Sequence, residues 1–430
     1  MIANECEVIS NSLWTATSRP LPSWSPLAGE AETEVAVIGG GFTGLSAALH
    51  LAEQGIAVTL LEAETPGWGA SGRNGGQVNP GLKEDPDGIE ARFGEEMGRR
   101  MIALSGGAPE FTFKLIERLD IACAPVRKGW IQPVHTESAE ARVRARAEQW
   151  SRRGEPVRML SREDTAYLLG TDAYRCAMLD GRGGNRHPLN DALGLAEAAA
   201  KAGARIHGHS RVTKMEQAGG EHILHTPSGR LRARKVLIGT NGYSGPEAPS
   251  LARSVVPIRS IQVATDILPE ELQRKILPEG HSASDSRRLL LYFRKDPEGR
   301  FVMGGRGAYS ARGTQIQMQA LHDISQRLYP DLEGVEWRYA WGGFVAMTQD
   351  HYPHLSKVAP GAMAALGYNG RGVAMATALG KVLADWASGT PEEELPYPVQ
   401  APRPIPLHFL RKPAVSAVVA WSRVRDRLER

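Results

Sequence analysis

The sequence predicts an α/β fold in which a parallel sheet between helices is joined to an α+β part carrying an antiparallel sheet. Three observations predict it. A buried strand, a helix and a second buried strand follow one another between Glu34 and Glu62. Residues from Val255 to Trp341 alternate apolar and polar, the pattern of an antiparallel sheet with one covered face. A further buried strand, Ala362 to Leu366, leads through a glycine-rich turn into an Ala-rich helix, Val373 to Trp386.

Taken in order, the segment up to Glu32 is rich in Ser, Pro and Trp and reads as an irregular lead-in. Glu34-Val-Ala-Val-Ile38 is a short apolar run ending in glycine, as a buried parallel strand should be. Phe42 to Gln54 places Leu45, Ala48, Leu49 and Ala52 at helical spacing, and Gly55 stands where a helix stops. Ala57 to Glu62 is the second strand. From about Glu90 to Leu169 the pattern is mostly helical, and Arg142, Arg144, Arg146 and Glu148 form a solvated face. Leu189 to Ala202 is a helix, followed by strand-like pieces at 205–208 and 212–216 and a strand at Lys235 to Gly239 that ends in Thr240-Asn241-Gly242.

The 430 residues suffice for two or three domains, and 42% hydrophobic with 23% charged content is ordinary for a globular protein. A net charge of +3 gives no argument for a nucleic-acid partner. The three cysteines, Cys6, Cys123 and Cys176, show no CxxC spacing, which argues against a disulfide framework or a metal site and for a reducing, cytoplasmic setting. Met1 to Asn11 lacks the apolar centre of a secretory signal, and Ala414 to Trp421 is far short of a membrane span.

Gly39-Gly-Gly41-Phe-Thr-Gly44 has the GxGxxG spacing of a Rossmann-like dinucleotide site. The first glycine permits a tight turn, the second lets backbone approach a pyrophosphate, and the third lets helix pack on strand. The phosphates then meet the amides of Phe42 and Thr43 at a helix N-terminus. Glu62, 18 residues beyond Gly44, closes the second strand beside Ala63, where a carboxylate receives ribose hydroxyls. The same spacing serves NAD and FAD, so an NAD(P)-dependent dehydrogenase is an alternative. Two further segments favour FAD. Ala70-Ser71-Gly-Arg73-Asn74-Gly75-Gly76-Gln77 offers small residues for close approach to a planar ligand, with Ser71 and Arg73 in reach of the pyrophosphate. Gly367, Asn369, Gly370, Arg371, Gly372 and Val373 form a turn into a helix whose N-terminus, with Arg371, would stabilise negative charge on a reduced flavin. Val212, Thr240, Asn241 and Gly242 complete the expected cofactor set.

With these segments in place the chain resembles the glycine oxidase/D-amino acid oxidase superfamily of flavoenzymes, nearly end to end. Val37 to Ala52, Gly69 to Gln77, His187-Pro-Leu-Asn190, Trp341-Gly-Gly-Phe344 and Arg425-Asp-Arg-Leu428 carry the resemblance. It implies a discontinuous FAD-binding domain (30–110, 185–250 and 341–390), a substrate part (111–184 and 251–340) whose antiparallel sheet covers the flavin ring, a C-terminal tail (391–430), and a two-electron reaction. A neutral amine would deliver hydride to flavin N5, water would hydrolyse the imine, and O2 would reoxidise the flavin to give H2O2. The implied donor is a gamma-glutamyl polyamine or a small or cyclic amino acid such as pipecolate. The alternatives are a dehydrogenase that passes electrons to a membrane quinone or other carrier, and a non-catalytic flavin-bearing subunit of a complex.

Two departures from the family bear on chemistry. Phe344-Val-Ala-Met347 has no cysteine where some members tether their flavin, so noncovalent FAD is expected. Ala374 stands where some members carry a carboxylate-binding lysine, so another cation must serve. Arg306 is the first candidate, with Arg371 beside it as a catalytic cation; Arg259, Tyr309 and His351 are the remaining substrate candidates, and Tyr243 is a further pocket residue. No metal site is expected, His351 and His354 on a loop being a poor ligand pair. Ala414, Val418, Trp421, Val424 and Leu428 share a helical face, with Arg423, Arg425, Arg427 and Arg430 at its end. Such a helix packs on its own domain or lies on the inner face of a membrane.

Overall fold

The structure is a computed structural model that describes the backbone of residues 11–428 and the side chains of all but Ala311 and the residues from Arg423 onward. Cys6, Arg430 and the faces assigned to Val424 and Leu428 lie outside the described residues.

The chain enters and leaves one sheet three times. β1 (Gly29–Ile38), α1 (Phe42–Glu53) and β2 (Val58–Leu61) form the first βαβ unit. A first excursion runs through α2 (Glu95–Arg118), β3 (Trp130–Val134), α3 (Glu137–Ser151), β4 (Val157–Leu160) and β5 (Cys176–Asp180). The return brings α4 (Pro188–Lys201), β6 (Arg205–His207), β7 (Lys214–Ala218), β8 (Glu221–His225) and β9 (Gly229–Ile238). The second excursion holds β10 (Val256–Ile267), β11 (Ser282–Ser284), β12 (Tyr292–Lys295), β13 (Arg300–Arg306), α5 (Ala311–Leu328) and β14 (Trp337–Met347). The chain closes with β15 (His354–Ala359), β16 (Ala362–Leu366), α6 (Gly372–Ala387), β17 (Val399–Gln400) and α7 (Arg411–Leu428).

The nucleotide sheet has the order β17-β15-β16-β9-β1-β2-β6, with β8 and β7 added beside β9. Its centre, β16, β9, β1, β2 and β6, is parallel. Val35 and Val37 of β1 join the core formed with α1, α2, α4 and α6, while Ala36 and Ile38 face Leu224, Leu251 and Val255 on the other side. A strand buried on both faces needs an unbroken apolar run, which is why 34–38 carries no alternation. β1 nevertheless starts at Gly29, five residues earlier than the apolar run, because polar Glu30, Glu32 and Thr33 pair with β9 at the exposed edge of the sheet.

The second sheet has eight strands in the order β14-β10-β13-β12-β11-β3-β5-β4, antiparallel except where β11 meets β3. Two expectations are corrected here. The stretch from about Glu90 to Leu169, expected as mostly helical, supplies β3 and β4 to this sheet, and β5 follows at 176–180. Their runs of four or five residues are too short to show a period, and Pro133 lies inside one of them. β14 runs through the boundary expected at 340/341 and stays in the second sheet to Met347, held along its length by β10.

The lead-in is also more than irregular chain. Trp14, in a short helix at Leu13–Ala16, is fully buried with Leu189, Leu193, Val302 and Trp341, and so touches both sheets' layers. Its indole Nε1 donates to the Asn74 carbonyl oxygen at 2.8 Å. The lead-in thereby pins the small-residue loop after β2.

Candidate functional site

The site begins with the turn from β1 to α1. Gly39 adopts φ +102°, and a Cβ on Gly44 would fall 2.0 Å from the Gly39 carbonyl oxygen. That contact lets α1 start immediately after the strand and aims its first amides outward. The Ser71 hydroxyl accepts from Phe42 N at 2.9 Å, so the loop after β2 already touches the helix N-terminus. Glu62 is half-buried just after β2; its two carboxylate oxygens accept from Gly40 N at 2.5 Å and Glu64 N at 2.9 Å. Burial pushes its pKa up, against the lowering effect of these two amides.

The last βα turn lies alongside. Gly367, Asn369 and Gly370 take φ of +77°, +52° and +87°, a left-handed path that the GxNG pattern permits. The Asn369 side chain is buried and accepts from Thr348 N at 2.9 Å, and the Asn241 side chain accepts from Gly367 N at 2.9 Å. Tyr368 reaches α1, its hydroxyl 2.6 Å from that of Thr43.

Between these turns runs a cleft of about 620 Å³. Of the expected cofactor residues, Gly39, Gly41, Phe42, Thr43, Glu62, Ala63, Ser71, Asn74, Val212, Thr240, Asn241, Gly242, Gly370, Gly372 and Val373 line it. Gly44 stands just behind, as its packing role requires. The wall opposite α1 comes from the second sheet and its approaches: Val255, Pro257, Phe344, Val345 and Ala346. The Tyr243 hydroxyl, one turn after β9, accepts from Phe344 N of this wall at 3.1 Å.

The remaining expected residues are placed elsewhere. Arg73 donates from Nε to the Trp68 carbonyl at 2.7 Å and stacks on the Trp68 ring. Gly75 and Gly76 are wedged against Tyr292 and the Arg186 carbonyl, and Gln77 bridges to Ala283 and Ser284 of β11. These residues join the two sheets beside the cleft. Arg371 is a correction: its guanidinium lies over the Trp130 ring at 4.5 Å and faces the Pro80 carbonyl, turned from the cleft that its neighbours Gly370 and Gly372 line. Burial lowers its pKa to about 9. His351 is a second correction: its side chain is 45% exposed and pairs with Glu84 at 3.4 Å, outside the cleft lining.

Arg259, Arg306 and Tyr309 gather behind the Pro257 end of the wall. Arg259 is buried on β10 opposite Phe344, over whose ring its guanidinium sits at 5.4 Å. It donates to the Thr314 hydroxyl at 3.2 Å, its Nε has no hydrogen-bond partner, and it makes no ion pair among the described residues. Arg306 ends β13 opposite Ser260, and the Tyr309 hydroxyl donates to the Pro257 carbonyl at 2.8 Å.

Residues 34–386 match the family described as FAD dependent oxidoreductase (DAO). The chain belongs to the FAD-dependent oxidoreductases. A probable oxidoreductase OrdL of Rhizobium meliloti is 37% identical over 386 residues, covering 89% of each chain. The gamma-glutamylputrescine oxidoreductase of Escherichia coli is 31% identical over 427 residues, covering 97% of this chain and 99% of the relative. The crystal structure of glycine oxidase from Geobacillus kaustophilus has the same fold, with a TM-score of 0.70 over 84% of this chain and 96% of that one, at 23% identity. For an FAD-dependent oxidoreductase the cleft fits its cofactor: amides at the α1 N-terminus for the pyrophosphate, and Glu62 with free acceptor capacity for the ribose.

Sequence reasoning missed Trp68, Glu64, Arg211, Glu247, Arg253, His408 and Arg411 in the lining. These come from loops between motifs, and only tertiary folding brings them together. Arg294 was also missed. It is fully buried and donates to the Gly75 and Arg186 carbonyl oxygens at 2.6 and 2.9 Å, fixing the loop from below. An arginine within the strand run Tyr292-Phe-Arg-Lys295 was the available signal.

Proposed function

We propose that this chain oxidises the C–N bond of a small amine or amino acid with noncovalently held FAD and uses O2 as acceptor, releasing H2O2. The observation that carries the reading is that one cleft has the dinucleotide cradle, Gly39 to Thr43 with Glu62, on one side and a wall of the second sheet, Pro257 with Phe344 to Ala346, on the other. A donor held between them meets the cofactor in a largely apolar setting. Bound FAD supplies the two-electron acceptor, and the chain's residues orient the donor and exclude water. The relatives named for gamma-glutamylputrescine and glycine support an amine or amino-acid donor. Both described cysteines, Cys123 and Cys176, are buried away from the cleft, which supports a noncovalent flavin.

Within this reading the 30–110, 185–250 and 341–390 segments hold FAD, and the second sheet covers the flavin. The donor's carboxylate reaches past Pro257 and Phe344 to Arg259, with Arg306 and Tyr309 beside it, three residues that stand behind the cleft lining and not in it. Arg259 leads because a buried guanidinium whose one side-chain hydrogen-bond partner among the described residues is a hydroxyl favours an incoming carboxylate.

The test is anaerobic mixing of the purified holoprotein with single donors while the flavin absorbance is followed. The panel is gamma-glutamylputrescine, putrescine, sarcosine, proline, pipecolate, glycine and several D-amino acids. Bleaching by one donor, reversed by air with stoichiometric peroxide, is expected. Bleaching that air does not reverse would replace the oxidase with a dehydrogenase. A yellow protein bleached by none would remove the C–N assignment.

A further inference from the structure

The C-terminal segment leaves the body at the mouth of the cleft. Ile405 N donates to the Arg253 carbonyl at 2.8 Å, and His408 Nε2 lies 2.8 Å from the Val255 carbonyl oxygen. His408 and Arg411 are part of the cleft lining. Beyond them the described apolar side chains are largely exposed. Leu407 is 66% exposed, Phe409 73%, Val418 64% and Trp421 63%. Leu410, Ala414 and Ala417 are exposed as well. Leaving such side chains in water over the described part of a helix forgoes the burial that otherwise stabilises an amphipathic helix.

Charge shows what covers this face. From Arg403 to Arg430 the sequence has seven basic residues (Arg403, Arg411, Lys412, Arg423, Arg425, Arg427, Arg430) and two acidic ones, Asp426 and Glu429. That is a net +5 in the tail, so with +3 for the whole chain the first 402 residues carry −2. The positive charge of the protein is therefore concentrated on the segment that, among the described residues, exposes Leu407, Phe409, Leu410, Val418 and Trp421 together. A tryptophan and a phenylalanine among aliphatic residues, bordered by arginine and lysine, match the interface of an anionic lipid bilayer, where rings sit at headgroup depth and cations meet lipid phosphates. No helix among the described residues is long and apolar enough to cross a membrane, so such contact is peripheral.

We propose that the segment from Leu407 through α7 docks on an anionic lipid surface, with Phe409, Val418 and Trp421 inserted and Arg411 and Lys412 among the basic residues at the headgroups. The cleft mouth, which shares His408 and Arg411 with this segment, then faces the bilayer. The inference does not depend on the donor or on the acceptor.

The test uses the full-length holoprotein and sedimentation with vesicles of phosphatidylcholine alone or of phosphatidylcholine and phosphatidylglycerol in equal parts. Binding is expected to the second and not the first, with a blue shift of tryptophan emission and release by raised salt. Val418→Glu with Trp421→Glu should lower the partition at least tenfold, and Lys412→Gln about fivefold, the effect of removing one charge at such a surface. These positions are exposed, so flavin content and thermal midpoint should stay as in the parent protein, which separates loss of docking from misfolding. Equal or absent binding to both vesicles would overturn the proposal, as would binding that the double variant leaves unchanged. A dimer in solution that the double variant dissociates, without vesicle binding by the parent, would assign the face to a second copy instead. A bulky solvent-exposed helix that binds lipid while no amine reduces the flavin would leave this proposal standing and remove the proposed donor class.

Discussion

At Gly44 the whole cradle depends on a missing methyl group. A Cβ there would meet backbone at 2.0 Å, and backbone cannot yield as a side-chain tip can. Gly44→Ala should therefore yield protein that folds poorly or holds no flavin, whereas alanine at the open Gly55 should be tolerated apart from its cost at φ +76°. Flavin content per chain after purification checks both. On the proposed reading Glu62 carries the pH dependence of cofactor binding. Ribose hydroxyls would donate to its ionised form, so bound FAD would draw its pKa below the raised value of the free protein. Affinity for FAD is then full above that raised value and falls as pH drops through it. Glu62→Gln should flatten this profile and weaken FAD by roughly 2 kcal/mol, about thirtyfold, as expected for one charge-assisted hydrogen bond. Ultrafiltration of free flavin across pH reads both effects. Arg259→Met should raise KM for a carboxylate donor at least a hundredfold, with a small change in kcat; an equal loss in an amine without a carboxylate would remove Arg259 from substrate binding. The tight turn of the GxGxxG residues and the place of Glu62 just after β2 were legible because a strand, a glycine turn and a helix in that order fix both. The orientation of Arg371 was not, since a side chain at a helix start can turn to either side.

Among the elements, α4 shows how a motif of the resemblance acquires a local physical meaning. His187 caps this helix, its Nδ1 accepting from Asn190 N at 3.1 Å, and Pro188 occupies the first turn. Such a cap requires a neutral imidazole, and burial lowers the pKa from 6.5 to about 4. The protonated form is thus favoured in the unfolded chain. Stability from this group is complete above the upper value and lost as pH falls through the window, by roughly 3 kcal/mol once below both. His187→Asn keeps an N-cap and should remove this part of the acid sensitivity, as seen in thermal midpoints between neutral and acid pH. Strands with long apolar or alternating runs were readable at this scale, as were the helices at 42–53, 188–201 and 372–387. The strands at 130–134, 157–160 and 176–180 were not, because β pairing with distant partners, more than local preference, makes them strands.

Across the whole molecule, the two sheets meet at the cleft, and small contacts hold them in register. Trp14 is the clearest. It is fully buried between the sheets' layers, lies beneath the Arg294 guanidinium at 4.7 Å and donates to Asn74. Trp14→Ala should cost roughly 3–5 kcal/mol by the usual scale for a buried aromatic. It should also lower flavin retention beyond the loss in stability, because it frees the 70–77 loop; chemical denaturation and flavin content together test this.

The sequence alone determined the dinucleotide cradle, the flavin-type segments that follow it, the membership that they imply and the existence of two differently built sheets. Each rests on local constraints: a turn that only glycine fits, a helix face, a buried run. Only the tertiary structure decided which residues form the far wall of the cleft, that Arg259 is buried behind Phe344 without an ion pair among the described residues, that Arg371 turns away, and that Phe409, Val418 and Trp421 of the basic tail are exposed. Those facts depend on strand register and on contacts between residues hundreds of positions apart, and no local pattern records them.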